Sequence, residues 1–107
     1  MDRQVMRLGQ RQELFSECLG KLLIYIYSKG YKVRMGDVFA RTGHKNNSLH
    51  YEKCAGDLNL FLGNKYLMKS SDHKEFGDYW ESLHELCRWG GRYSDGNHYE
   101  VVRKPFR

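Results

Sequence analysis

The chain has 107 residues, room for one domain spanning 1–107, and its 40% hydrophobic and 14% aromatic content excludes a disordered polymer. No stretch approaches the ~20 apolar residues of a membrane span, so insertion into a bilayer is not expected. The formal charge of +5 argues against a basic partner and suits an anionic one: nucleic acid, an acidic lipid surface or a cell-wall polymer.

Residues 10 to 29 are predicted to form a helix. Phe15, Leu19, Leu22 and Ile26 recur at helical spacing, Leu14, Cys18 and Leu23 widen the stripe, and Gly30 is placed to end the helix in a left-handed cap. Next, Tyr31, Val33 and Met35 alternate with Lys32 and Arg34, the pattern of a half-buried strand. Residues 41 to 49, "RTGHKNNSL", read as a loop. "DLNLFL" and "KYL" flank Gly63-Asn64, a two-residue hairpin turn. A second helix is predicted to start near Asp72, with Asp72 and Glu75 in a capping-box-like arrangement. Phe76, Trp80, Leu83 and Cys87 would form its buried face, and Gly90-Gly91 would end it. His73 would lie in solvent in its first turn. After the turn "SDGN", residues 98 to 103 form a last strand. The order helix, strand, hairpin, helix, strand predicts an α+β domain: a small antiparallel sheet flanked by two main helices.

Cys18, Cys54 and Cys87 form no CxxC pair, which predicts reduced, buried thiols. The first residues lack the apolar core of a signal peptide, so synthesis in a cytoplasm is expected.

Histidine placement carries the chemistry. His50 precedes Asp57, which opens a strand, and His98 opens another. Two imidazoles and a carboxylate converging from three elements would make a zinc site with one position left for water. A zinc-bound water ionises near neutral pH. Asp95, three residues before His98, could stand beside such a site as a general base and acid. Gly96 would allow the sharp turn, and Asn97 tolerates unusual backbone angles. From spacing alone, ordinary strand-end and turn chemistry explains the same residues.

The segment "SLHYEKCAGDLNLF" resembles the Ser-x-His-x4-Ala-x-Asp signature of the zinc peptidases of peptidoglycan stem peptides, with Ser48, His50, Ala55 and Asp57 in register. That superfamily includes D-alanyl-D-alanine carboxypeptidases, L-alanyl-D-glutamate endopeptidases and the hedgehog signalling domain. "WGGRYSDGNHYE" resembles its second signature, an acid-x-x-His after a helix and a glycine turn. Together with "DLNLF", the pair is most similar to phage endolysins that cut L-alanyl-D-glutamate bonds. The resemblance runs from about Tyr31 to Glu100. It implies a hedgehog/DD-peptidase-like fold and Zn2+ held by His50, Asp57 and His98, with Asp95 as the base. It also implies Ser48 near the substrate and Arg34 holding a substrate carboxylate or oxyanion, with Arg41 as a competitor for that role. The expected enzyme is a monomer, made without a signal peptide and acting on the cell wall. Gly56 departs from the pattern, where a bulkier apolar residue is usual, and is expected to loosen the strand.

Several residues invite plainer readings. Cys54 would point away from Asp57 as a buried thiol. His84 and Cys87 would pack one helical turn apart. Phe76 and Trp80 are core candidates, Trp89 is as suited to core as to cleft, and His44 lies in the loop. The competing class is a basic nucleic-acid-binding module whose tyrosines stack on bases. It offers no reason for the two signatures, so nucleic acid is not the expected partner.

Overall fold

The computed structural model describes residues 6–38, 49 and 52–107. Residues 41–48 of the predicted loop, including Arg41, His44 and Ser48, lie outside that set, as does His50. The coarse class is as expected: two helices and a small antiparallel sheet.

Helix α1 spans Leu8–Ser28. Its buried residues Arg11, Phe15, Cys18, Leu22 and Ile26 follow one another at steps of three and four, so one stripe meets the core. Gly30, at φ +88°, takes the left-handed cap position. Strand β1, Lys32–Met35, pairs antiparallel with β2, Ala55–Leu62. Strand β3, Lys65–Leu67, returns along β2 after the Gly63-Asn64 turn. Of the two turn residues only Gly63 takes a positive φ (+61°), as a hairpin with glycine at its first turn position requires. Strand β5, His98–Val101, pairs with β2 on one side and with β4, Cys87–Trp89, on the other. The path through the sheet is β1-β2-β5-β4.

The second helix departs from expectation. A 3-10 turn, Ser70–His73, leads into α2, Lys74–Leu83, and the helix stops there rather than at Gly90. Asp72 caps the 3-10 turn by accepting from the Lys69 N–H at 3.0 Å, so its cap reaches backward. Cys87 and Trp89 belong to an edge strand, not a helical face. His84 turns the chain by accepting the Leu86 N–H on Nδ1 at 3.0 Å. His73 is buried, and its Nδ1 shares a 2.8 Å hydrogen bond with the Tyr99 hydroxyl. Strand β5 ends at Val101, earlier than predicted.

Side chains directly opposite in paired strands share a face, and neighbours along a strand alternate. Leu58, Leu60, Tyr99 and Val101 therefore face the helices, where all four are fully buried. Trp80 of α2 meets Phe15 of α1 and Tyr99 of β5 edge to face, with ring centroids 5.8 Å apart in both pairs. Its indole N–H donates to the Glu100 carbonyl at 3.0 Å, so a large apolar surface is buried without stranding a donor. Gly56 does not loosen β2. A Cβ there would come within 3.1 Å of Val38 Cγ1 and 3.2 Å of Phe15 Cζ, so the side chains of Val38 and Phe15 occupy that space. The three thiols are buried, as predicted. Among the described residues, no helix is long and apolar enough to cross a membrane.

Candidate functional site

On the sheet face turned away from the helices, Asp57 and His98 are direct cross-strand partners. Asp57 Oδ1 and His98 Nδ1 lie 3.1 Å apart, and their side chains are 23% and 9% exposed. The backbone around Asp57 is paired on both sides. On one side its N–H donates to Asp37 O at 2.8 Å and its carbonyl accepts from Gly36 N at 2.7 Å; on the other, the Leu58 N–H donates to Asn97 O at 2.8 Å.

The opposite edge of the His98 ring is held as well. Nε2 lies 2.7 Å from Glu100 Oε1, and the other carboxylate oxygen of Glu100 accepts from Arg88 Nε. Arg88, Glu100, His98 and Asp57 thus form a continuous chain of alternating charge across three strands. Burial works against protonating His98, but the hydrogen bonds and negative charge of Asp57 and Glu100 outweigh it and lift its pKa to about 9. Burial also works against the Glu100 carboxylate; His98 and Arg88 reverse that and hold its pKa below the ordinary value.

Trp89, opposite Tyr99 in the register, braces the turn that leads into His98. Its ring lies against the backbone of Gly77 and Gly91, where any Cβ would fall within 2.5 Å of ring atoms. Its indole N–H donates to the Gly96 carbonyl at 2.7 Å, and its own backbone N–H donates to Glu81 at 3.0 Å. Glu81 also takes a two-pronged contact from Arg92, at 2.6 and 2.7 Å. Trp89 is therefore a buried brace for the turn before β5. Gly90 passes so close to this turn that a Cβ would sit 2.2 Å from Asp95 O and 2.8 Å from His98 Cβ. The left-handed residue of the turn is Ser94, at φ +65°; Gly96 and Asn97 have no positive φ, contrary to the sequence expectation. Gly96 is needed because Ser70 crowds it, leaving 2.4 Å from a Cβ to the Ser70 Cα.

Asp95 is exposed. It lines a cleft of about 170 Å3 together with Ser70, His73, Gly96, Asn97 and the Tyr66–Met68 segment. Its carbonyl accepts the His98 N–H at 3.1 Å, so acid and imidazole belong to one braced turn. Burial depresses the pKa of His73, at the base of this cleft, to about 4, and keeps Tyr99 protonated far above the usual phenol range.

Arg34 stands opposite Asn59 on the same sheet face as Asp57. Its guanidinium lies 4.4 Å from the Phe61 ring centroid, and Phe61 stacks on Tyr66 with centroids 5.0 Å apart. Asn59 joins this platform to the His98 turn, accepting from Tyr66 Oη at 3.2 Å and Asn97 Nδ2 at 3.4 Å. An open cavity of about 430 Å3 at the hairpin end is lined by Lys32, Arg34 and Phe61, among others.

Of the candidate site residues, Asp57 and His98 meet, Asp95 belongs to the adjoining turn, and Arg34 flanks the same face. Ser48 and His50 lie outside the described residues. Among the described residues, no group of three His, Cys, Asp or Glu gathers as a metal cage. Asp57 and His98 nevertheless fit two corners of one. Their 3.1 Å separation is close to the edge of about 3.3 Å expected for a tetrahedron with ~2.0 Å metal–ligand bonds. Sequence reading missed Glu100, Arg88 and the bracing role of Trp89. Glu100 was discoverable: two residues after His98 in a strand, it must share His98's face.

The chain matches no protein-family model and no curated protein.

Proposed function

We propose that the chain is a zinc-dependent peptidase of peptidoglycan stem peptides, an L-alanyl-D-glutamate endopeptidase of phage-lysis type acting on the bacterial cell wall. The observation that carries this reading is the 3.1 Å approach of Asp57 and His98, residues 41 apart in the chain that end the two matching signatures. His50, the remaining signature histidine, would supply the third ligand. Zinc, when bound, would acidify a water and polarise the scissile carbonyl.

The protein groups have separate tasks. Asp95 is an exposed carboxylate on a turn held by Trp89, suited to take a proton from the attacking water and return it to the departing amine. Arg34 offers a cation on the same face, opposite Asn59 and so two residues along β2 from Asp57, for a substrate carboxylate. The net charge of +5 favours residence on an anionic wall.

The test is hydrolysis of purified peptidoglycan with and without a chelator, with identification of the new N-terminus. Chelator-sensitive release of D-glutamyl N-termini is the expected result. Release of free D-alanine would instead make the enzyme a carboxypeptidase, and cleavage unaffected by complete metal removal would end the zinc reading.

A further inference from the structure

An imidazole can present either nitrogen to a metal, and the hydrogen bond made by the other decides which. In this chain the two nitrogens face two different carboxylates. Glu100 is 4% exposed and approaches His98 Nε2 at 2.7 Å. An ionised carboxylate only accepts hydrogen bonds, so the nitrogen facing it must carry the proton. Nδ1 faces Asp57, 3.1 Å away, and its proton is the one that a metal bound by Asp57 would displace. Glu100 cannot easily turn aside, because Arg88 holds its second oxygen and Arg88 and Glu100 are direct partners in the β4–β5 register.

We propose that Glu100, braced by Arg88, is a positioning residue that fixes the His98 ring with Nδ1 toward Asp57 and makes Nδ1 the nitrogen offered to the metal. This rests on the zinc reading above. It adds a residue to which the acid-x-x-His pattern gives no role, acting through His98 without touching the substrate. Outer carboxylates of this kind typically change metal affinity 10- to 100-fold when removed.

Glu100→Gln is the discriminating variant. It preserves size and can keep an oxygen on Arg88, which leaves an amide NH2 facing Nε2. A donor there favours the tautomer with its proton on Nδ1, the nitrogen the metal needs free. A role in packing alone would not register this isosteric change.

The experiment is zinc titration against a competing chromophoric chelator, combined with long-range 1H–15N spectra of the His98 ring in wild type and Glu100→Gln. Wild type should bind one equivalent of zinc through Nδ1 and retain its Nε2 proton. Glu100→Gln should stay folded, bind zinc roughly 10- to 100-fold more weakly, and lose the Nε2 proton that the metal-free wild-type ring carries. Stoichiometric zinc bound through Nε2, or unchanged affinity and tautomer in Glu100→Gln, would overturn the role of Glu100 and leave the zinc reading standing. Absence of zinc uptake by the wild-type chain would remove both.

Discussion

The two ends of β2 are built to different standards. At Asp57 the strand is hydrogen-bonded on both sides, and its cross-strand partner His98 sits in a chain of buried charges. At Phe61 the same strand presents an aromatic ring to Arg34 and Tyr66, with Tyr66 43% exposed. The first end fixes atoms in place; the second offers a cation and flat rings to whatever lies across the sheet. Rigidity is concentrated where metal geometry would demand it.

The sharpest way to break this contrast is Trp89→Ala. It empties the space between Gly77 and Gly91 and frees the Gly96 carbonyl. A loss of about 3–5 kcal/mol is expected in urea denaturation. A loss under about 1 kcal/mol would mean the turn before β5 does not depend on its brace.

Asp95→Ala separates chemistry from structure within the same end. The side chain is exposed, so stability should change by less than about 0.5 kcal/mol and zinc should still bind. Peptidoglycan hydrolysis should fall roughly 100- to 10,000-fold. Unimpaired turnover would remove Asp95 from the reaction.

The titration of His98 gives a third measure. Its folded pKa, about 9, lies above the ordinary value of 6.5, so the metal-free protein gains stability that is fully present below about pH 6.5 and lost as pH rises through 9. The effect is on the order of 3 kcal/mol. His73 has the opposite sign: at about 4 its pKa is depressed, so stability should also fall as pH drops from 6.5 toward 4. Urea midpoints of the metal-free chain should therefore peak near pH 6.5. In His98→Gln the alkaline decline should disappear, and its persistence would assign that decline to another group.

A modest structural effect is expected at the open end. Arg34→Ala removes an exposed cation–π contact, with a stability change of about 0.5–1 kcal/mol. Sedimentation with purified peptidoglycan at low salt should nevertheless weaken several-fold. Equal retention by variant and wild type would show that the platform does not hold substrate.

Local chemistry made much of this fold legible. The α1 stripe, the Gly30 cap and the Gly63-Asn64 turn each follow from a few adjacent residues. Strand β4 was hidden because Cys87 continues the four-three-four spacing of Phe76, Trp80 and Leu83. No glycine or proline marks the break at His84. Pairing with β5, a tertiary interaction, overrides the apparent helical pattern there. In the candidate site, Asp57, His98 and Asp95 stood out through their sequence context. Arg88 did not, because its partner Glu100 is fixed only by the register of two strands. The strain expected at Gly96 fell on Ser94 because the close approach of Ser70, not a left-handed backbone, is what Gly96 accommodates.

Cys18, Cys54 and Cys87 are 2%, 0% and 0% exposed, and they report on different seams. Cys54 touches Arg11 just ahead of the Asp57 strand, whereas Cys18 and Cys87 share a contact between α1 and β4. A thiol reagent added to the native protein therefore times its spontaneous openings without any engineered label. Faster modification of Cys54 than of the other two would register breathing beside β2, and equal rates would register opening of the whole molecule.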